Sequence, residues 1–428
     1  MLPPKPQLRD NRKCRKLWHA ILQLSSAIDL TDLTRVAQRM AQLNYDNVGN
    51  LQAHVYPNSV QTAHSYNSLN RLTNVTISKG VALASYAYQL GPAGNRTQVN
   101  ELSGRQVSYS YDALYRLTGE AISGSTINGA LAYQYDSVGN RLQRTSTVAP
   151  VPPASYTYDA NDRLSIDSYD FNGNTTASGG NAYAYDFENR LSSLNAGAVA
   201  MVYDGDGNRV AKTAGGVTTK YLVDDRNLTG YAQVLEETVG GTVQRGYTYG
   251  LNRISQSQTS GISFYGYDGH GSVRLLTDAT GAVTDRYDYD AFGVQIQSTG
   301  TTPNDFRFGG EQDDSSLGFY YLRARYLDPN IGRFKSADPF EGNPYDPGTL
   351  HRYLYVHGNS VNQSDPSGLV TLQEEILTVS IIAILESIAV IHIATNRLQE
   401  TRGKFDGVVQ MSLLDRMDRK PNPSQFWK

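Results

Sequence analysis

The chain is poor in cysteine: among 428 residues there is one, Cys14. A single thiol closes no intramolecular disulfide and supplies neither a disulfide framework nor a cysteine-based zinc site. Charge of one sign is also missing, since 38 Lys and Arg face 41 Asp and Glu for a formal net charge of -3. That balance gives no global attraction to nucleic acid or to an anionic membrane, and no nucleic-acid partner is expected. There is no clear secretory leader. The opening MLPPKPQLRDNRKCRKLWHAILQLSSA sets basic residues before a short apolar patch, but His19 and Gln23 interrupt it. At residues 204–208 the pattern Asp-x-Asp-Gly-Asn imitates the start of a calcium loop, yet no glutamate follows at the required place. Neither a bound metal nor a cofactor is expected.

What is present is tyrosine, 30 against 11 phenylalanines, with 39 glycines. Turn-rich chains with amphipathic aromatics favour an all-β solenoid or shell, and one repeat architecture can carry this length as a single body. The repeat is visible in NYDNVGNL (Tyr45), SYNSLNRL (Tyr66), AYQLGPAGNRT (Tyr88), SYDALYRL (Tyr111), QYDSVGNRL (Tyr135), TYDANDRL (Tyr158), AYDFENRL (Tyr185) and VYDGDGNRV (Tyr203), with further copies near Tyr249, Tyr267 and Tyr289. From Tyr45 to Tyr158 the spacings are 21, 22, 23, 24 and 23 residues, as one supersecondary unit with small loop variations requires. The unit reads as strand, turn, strand. Tyr109 and Tyr111, Tyr133 and Tyr135, and Tyr156 and Tyr158 stand two apart, so each pair shares a strand face. The Asp-x-x-Gly-Asn that follows supplies turn chemistry. Such stripes suit a wall facing an enclosed wet space, and equally an ordinary half-buried sheet face.

The repeats, together with YGYDGHGSVRLLTDATGAVTDRYDYDAFG (265–293), FRFGGEQDDSSLGFYYLRARYLDPNIGRFKSADPF (306–340) and YLYVHGNSVNQSDPSGL (353–369), carry a resemblance to the Rhs and YD-repeat proteins. That group includes bacterial polymorphic toxins, the C components of insecticidal toxin complexes and the animal teneurins. The resemblance runs from Tyr45 to Leu369. It implies a YD-repeat β-shell over 41–264, an Rhs-associated core and plug over 265–369, a variable cargo over 370–428, and a helical or irregular segment over 1–40. It also implies a sheet spiralling into a hollow shell around the cargo. Family shells are usually built from more repeats, which points to a fragment, a short variant or an assembly partner supplying the rest of the wall.

The motif Asp-Pro-x-Gly-Leu marks, in that family, self-cleavage immediately after the leucine. Here Asp365, Pro366, Gly368 and Leu369 match it, and Asp338 matches an upstream aspartate. The implied reaction is that of an aspartic-type autoprotease acting once on its own Leu369–Val370 bond. One carboxyl stays protonated as acid while the other activates water, because two carboxylates sharing a site do not both ionise easily. Apart from the resemblance, Asp-Pro also opens turns and ends strands, and Asp328 and Asp346 carry further copies. The chain departs from the family at Ala337, where many members have arginine, and at Ser360, where proline is usual. Arg333 and Arg352 are the candidate replacements for that arginine. His270, in a Gly-rich turn, is expected to be structural rather than catalytic.

Beyond Leu369 the character changes. The run ILTVSIIAILESIAVIHIA (376–394) is apolar, lacks tyrosine, follows Glu374 and Glu375, and reads as a helix long enough to span a membrane. Glu386 in its middle makes insertion costly, which favours a buried helix or the hydrophobic leader of a truncated toxin domain over a membrane span. Expected partners are the chain's own cargo segment, an N-terminal shell partner, a component of a secretion apparatus and an immunity protein. The family implies synthesis in the cytoplasm and export to, or display at, the cell surface. Two other functions stay open: a non-cleaving adhesive surface protein, and a displaced C-terminal cassette of a larger shell.

Overall fold

The computed structural model describes residues 42–369, apart from 228, 343, 344 and 346, together with 372 and 373. The expected segment over 1–40 and the apolar helix over 376–394 lie outside the described residues. Among those described, no helix is long and apolar enough to cross a membrane.

The chain is built of antiparallel hairpins laid side by side in sequence order. Eleven strands, from Gln42–Tyr45 to Ala154–Ser155, form one sheet. Fourteen, from Ser168–Tyr169 to Gln295–Thr299, form a second. Most of the tight turns that open on aspartate or asparagine are closed by that first residue. At Asp136, Oδ1 accepts the N–H groups of Val138, Gly139 and Asn140 at 2.8 to 3.0 Å, and Oδ2 accepts Asn140 Nδ2 at 3.0 Å. Burial alone would raise this carboxyl, but the side-chain and backbone donors of Asn140 and its neighbours outweigh it and hold the group below the usual range. Gly139 has φ 108°, in the left-handed region that favours glycine.

Beside each such turn the ladder slips by one residue. Tyr111 pairs with Leu117 while Ser110 pairs with Gly119, leaving Thr118 as the extra residue. The same slip accompanies Tyr45, Tyr66, Tyr135, Tyr185, Tyr203, Tyr249, Tyr267 and Tyr289. A bulge bends its strand, sharpens the twist and takes a backbone carbonyl out of the regular ladder. The next repeat's tyrosine takes that carbonyl up. Leu117 O accepts from Tyr135 at 2.8 Å, Arg141 O from Tyr158 at 2.9 Å, Leu191 O from Tyr203 at 2.8 Å, Arg253 O from Tyr267 at 2.7 Å and Val273 O from Tyr289 at 3.0 Å. Paired tyrosines share a face as expected, and Tyr109, Tyr111, Tyr133 and Tyr135 pack on one cluster. The hydroxyls of Tyr111 and Tyr135 are spent on the neighbouring hairpin, and that of Tyr133 is buried without a partner.

The two sheets pack on each other through Leu275 among Val60, Val75 and Ile77, and through Phe292 and Ile296 among Leu117 and Leu131. The second sheet continues through residue 265 to Thr299. A small four-stranded sheet follows, of Gln312–Asp314, Phe319–Leu322, Arg325–Asp328 and Arg333–Phe334. It and the segment after it fill the interior, with Phe306, Phe308, Tyr320, Phe334 and Tyr355 packed on Tyr247, Tyr265 and Tyr289. Chain 300–369 is thus a plug that supplies core to both walls.

Tyr289→Phe leaves the buried Val273 carbonyl without its donor and is expected to cost about 1 to 3 kcal/mol in urea unfolding. Tyr156→Phe, which loses only an exposed 3.4 Å contact, should fall within about 0.5 kcal/mol of the unmodified chain.

Candidate cleavage centre

The plug brings the two predicted aspartates to one cation. Strands Phe319–Leu322 and Arg325–Asp328 are joined by Arg323 and Ala324, with Arg323 at φ 56°. This tight connection turns Arg325 inward, where its side chain is 4% exposed and its guanidinium lies 3.7 Å from the centre of the Phe334 ring. Nη2 meets Asp338 Oδ2 at 2.7 Å and Asp365 Oδ2 at 3.7 Å. Nε donates to Gly368 O, and Nη1 to Arg352 O at 3.2 Å.

The motif loop is fastened to the same hairpin. Ala324 N–H donates to Ser367 O at 3.2 Å, and Arg323 donates to Pro366 O while pairing with Glu311. Asp365, 3% exposed, accepts through Oδ1 from Ser367 Oγ at 2.9 Å and from Leu369 N–H at 3.1 Å. Gly368 has φ 72°, and a Cβ there would run into the Leu322 carbonyl oxygen. Only glycine fits that close approach. The chain re-emerges at Leu372–Gln373, paired antiparallel with Gln363–Ser364, so residues 365–369 bend back next to the junction. Val370 itself lies outside the described residues.

Asp338 is anchored through its backbone, its N–H to Arg352 O and its carbonyl to Arg352 Nε, both at 2.8 Å. Burial raises its carboxyl, and Arg325 opposes that rise. Burial pulls the Arg325 guanidinium down to about 10, although Asp338 and Asp365 both favour its charge.

The predicted arginines behave differently. Arg352 holds the Asp338 backbone and meets the carboxylate only through its field. Arg333 is elsewhere, bonded to Asn140 Oδ1 at 2.8 Å and lying over the rings of Tyr158 and Tyr353. Arg325 is the residue that sequence reasoning missed. In LRARYLDPNIGRF three arginines look alike, and only the tight turn at 323–324 aims Arg325 at the aspartates. Ala337 lines an open pocket with Phe171, Asn172 and Arg352, and Ser360 Oγ is buried without a partner. His270 sits in a turn closed by Asp268, its ring against Phe308, and burial pushes it down to about 4. Among the described residues, no group of three His, Cys, Asp or Glu side chains could hold a metal.

Hairpins in sequence order, Asp-closed turns, and a plug carrying the two aspartates coincide with a family match: residues 93–361 fit the model described as teneurin YD-shell. The chain belongs to the teneurin YD-shell family. The chain is 35% identical over 212 residues to the tRNA3(Ser)-specific nuclease WapA of Bacillus spizizenii, covering 47% of this chain and 9% of that protein. It is 36% identical over 110 residues to salivary gland surface protein 1 of Aedes aegypti, covering 24% and 3%. The YD-shell fold is similar to that in the crystal structure of TcdB2-TccC3-Cdc42, with TM-score 0.63 and 20% identity over 80% of this chain and 20% of that one. The chain therefore spans about a tenth of the first relatives' length and a fifth of the solved chain.

Arg325→Met removes the group opposing the burial of Asp338. That carboxyl is then expected to rise further in a carbon-13 NMR titration, whereas Arg333→Met leaves it in place.

Proposed function

We propose that the chain is the closing module of a YD-repeat toxin container, which cuts its own Leu369–Val370 bond once and frees the segment that follows. The observation that carries this is the convergence of Asp338 and Asp365 on Arg325, with the Leu369 N–H held on Asp365 Oδ1. In the proposed reaction Asp365 takes a proton from water as the oxygen attacks the Leu369 carbonyl carbon. Asp338, whose carboxyl burial makes readier to hold a proton, gives one to the departing Val370 nitrogen. The C–N bond breaks, leaving a carboxylate on Leu369 and an amine on Val370. Arg325, already bonded to the adjacent Gly368 carbonyl, is placed to balance the negative charge that develops. Its presence also permits the aspartates to sit close while one or both are ionised.

The names of relatives support a toxin setting, since they include tRNA nucleases and a double-stranded DNA deaminase toxin. What the freed segment does to a target is the property of residues 370–428 and not of the module. The space between these two sheets is not offered as the enclosure, since the sheets pack on each other and the plug packs on the second of them. More wall is needed, and a partner or a further length of shell would add to the sheet whose terminal strand among the described residues is Gln42–Tyr45. Export by a dedicated apparatus and neutralisation by an immunity protein belong to the same proposal.

Intact mass under denaturing conditions tests it, on the purified chain beside Asp338→Asn and Asp365→Asn. Two species split after Leu369 in the unmodified chain, and one in each variant, is the expected result. One uncut species in all three would make the Arg325 cluster a static lock and the protein a scaffold.

A further inference from the structure

The seam between the two large sheets contains a pair of carboxyl groups that the cleavage centre does not use. Glu120, on strand Leu117–Ser123 of the first sheet, and Asp290, in the turn after strand Val283–Tyr289 of the second, are each 2% exposed. Glu120 Oε2 accepts the Ala291 N–H across the seam at 2.9 Å. Asp290 Oδ1 closes its own turn, accepting from Phe292 and Val294 at 2.9 and 2.8 Å. The second oxygen of each, Glu120 Oε1 and Asp290 Oδ2, is buried with no donor.

Nearby cations do not complete them. Arg105 is spent on Glu101 and the Tyr289 carbonyl. Arg144 binds the carbonyls of Pro152 and Asn330. Arg141 lies over the Tyr133 and Phe292 rings with Nη1 and Nη2 buried and bonded to neither carboxyl, although its charge and that of Arg144 act on Asp290 from a distance. The other titratable neighbours are Tyr109, directly opposite Glu120 in register, and Tyr111 and Tyr133, all of whose hydroxyls burial makes harder to ionise; the Tyr133 hydroxyl is buried and bonded to neither carboxyl. His270, which shares a small cavity with Asp290, is kept neutral by burial. Two buried acceptors that both lack a donor are satisfied by one proton between them, whereas two bare carboxylates in that place would repel and remain desolvated.

We propose that Glu120 and Asp290 share a proton at neutral pH and form an alkali-sensitive latch between the two sheets. The proton supplies the donor that Oε1 and Oδ2 lack, and its loss sets two negative charges against each other across the seam. Burial, and after it the charge of Asp290, pushes the Glu120 carboxyl up, to about 8; burial raises Asp290 as well. A carboxyl whose folded pKa exceeds its unfolded one stabilises the fold while protonated. The contribution is whole below the ordinary 4.5 and is lost as pH climbs toward 8.

Glu120→Gln imitates the protonated side chain, keeping an acceptor for Ala291 and offering an N–H to Asp290. Thermal unfolding of the full chain and this variant at pH 5, 7 and 9 is the test. The unmodified chain should lose melting temperature between pH 5 and 9, the variant should lose less, and the variant should be the more stable of the two at pH 9. Parallel profiles, or a variant weaker by one margin at every pH, would overturn the latch. If the variant fails to fold, infrared spectra of the unmodified chain decide: a protonated-carboxyl stretch present at pH 7 and gone at pH 9 supports the shared proton, and no change between them refutes it. Neither readout depends on whether the Leu369–Val370 bond is cut.

Discussion

The contact on which this architecture depends is a tyrosine hydroxyl donating to a backbone carbonyl of the preceding hairpin. Every bulge costs the sheet a ladder bond, and a buried carbonyl left without a donor is expensive enough to forbid a dozen such defects in a row. The tyrosine of the next repeat removes that penalty, so the bulge can recur and the sheet can curve without fraying. The aspartate beside it closes the turn that positions the tyrosine. Thus the Tyr-Asp pair is a single device: one side chain makes the turn and the other satisfies the carbonyl that the previous turn released. Phenylalanine could fill the same volume but not do the second job, which accounts for the excess of tyrosine over phenylalanine in the chain.

Curvature then creates the second problem, two concave walls that need something to face. The plug meets it with aromatic bulk and with charge. Arg209, on the second sheet, is 1% exposed and pairs with Asp314 of the small sheet at 2.7 Å, while Arg274 ties the second sheet to Glu101 of the first at 3.0 Å. Pairs this deeply buried contribute little net stability for their desolvation, yet they penalise strongly any arrangement that separates the partners. They make the register of plug against wall specific. The cluster of Asp338 and Asp365 on Arg325 inherits that specificity, because Arg325 stands in the same four-stranded sheet as Asp314.

The repeat unit, its strand-turn-strand form and the shared faces of the paired tyrosines were legible in the sequence, since period-two alternation and Asp-x-x-Gly-Asn are local signals. The sequence also singled out Asp338 and Asp365, and the fold brings both to one guanidinium; what they do there belongs to the proposal. The destination of the tyrosine hydroxyls was not legible, because it depends on a carbonyl some fifteen residues away that only the bulge exposes. Arg325 was hidden for a similar reason. Its role is set by a two-residue turn and by loops 13 and 40 positions downstream, and nothing in its immediate neighbours separates it from Arg323 or Arg333. The filled interior was also beyond reach, as the resemblance describes shells larger than this stretch of chain.

Strand order has a further consequence, for time rather than shape. Within the sheets each strand pairs with its predecessor, so loop closure is short and cheap and assembly can keep pace with a chain growing from its N-terminus. The plug obeys a different rule: Arg144 waits for Asn330 across 186 positions, and Arg96 waits for Val361 across 265. Arg325, Asp338 and Asp365 become available in that order, and only after both walls have been made. Docking of the last segment is therefore a clock: Asp338 and Asp365 cannot meet on Arg325 before the wall beside them is complete.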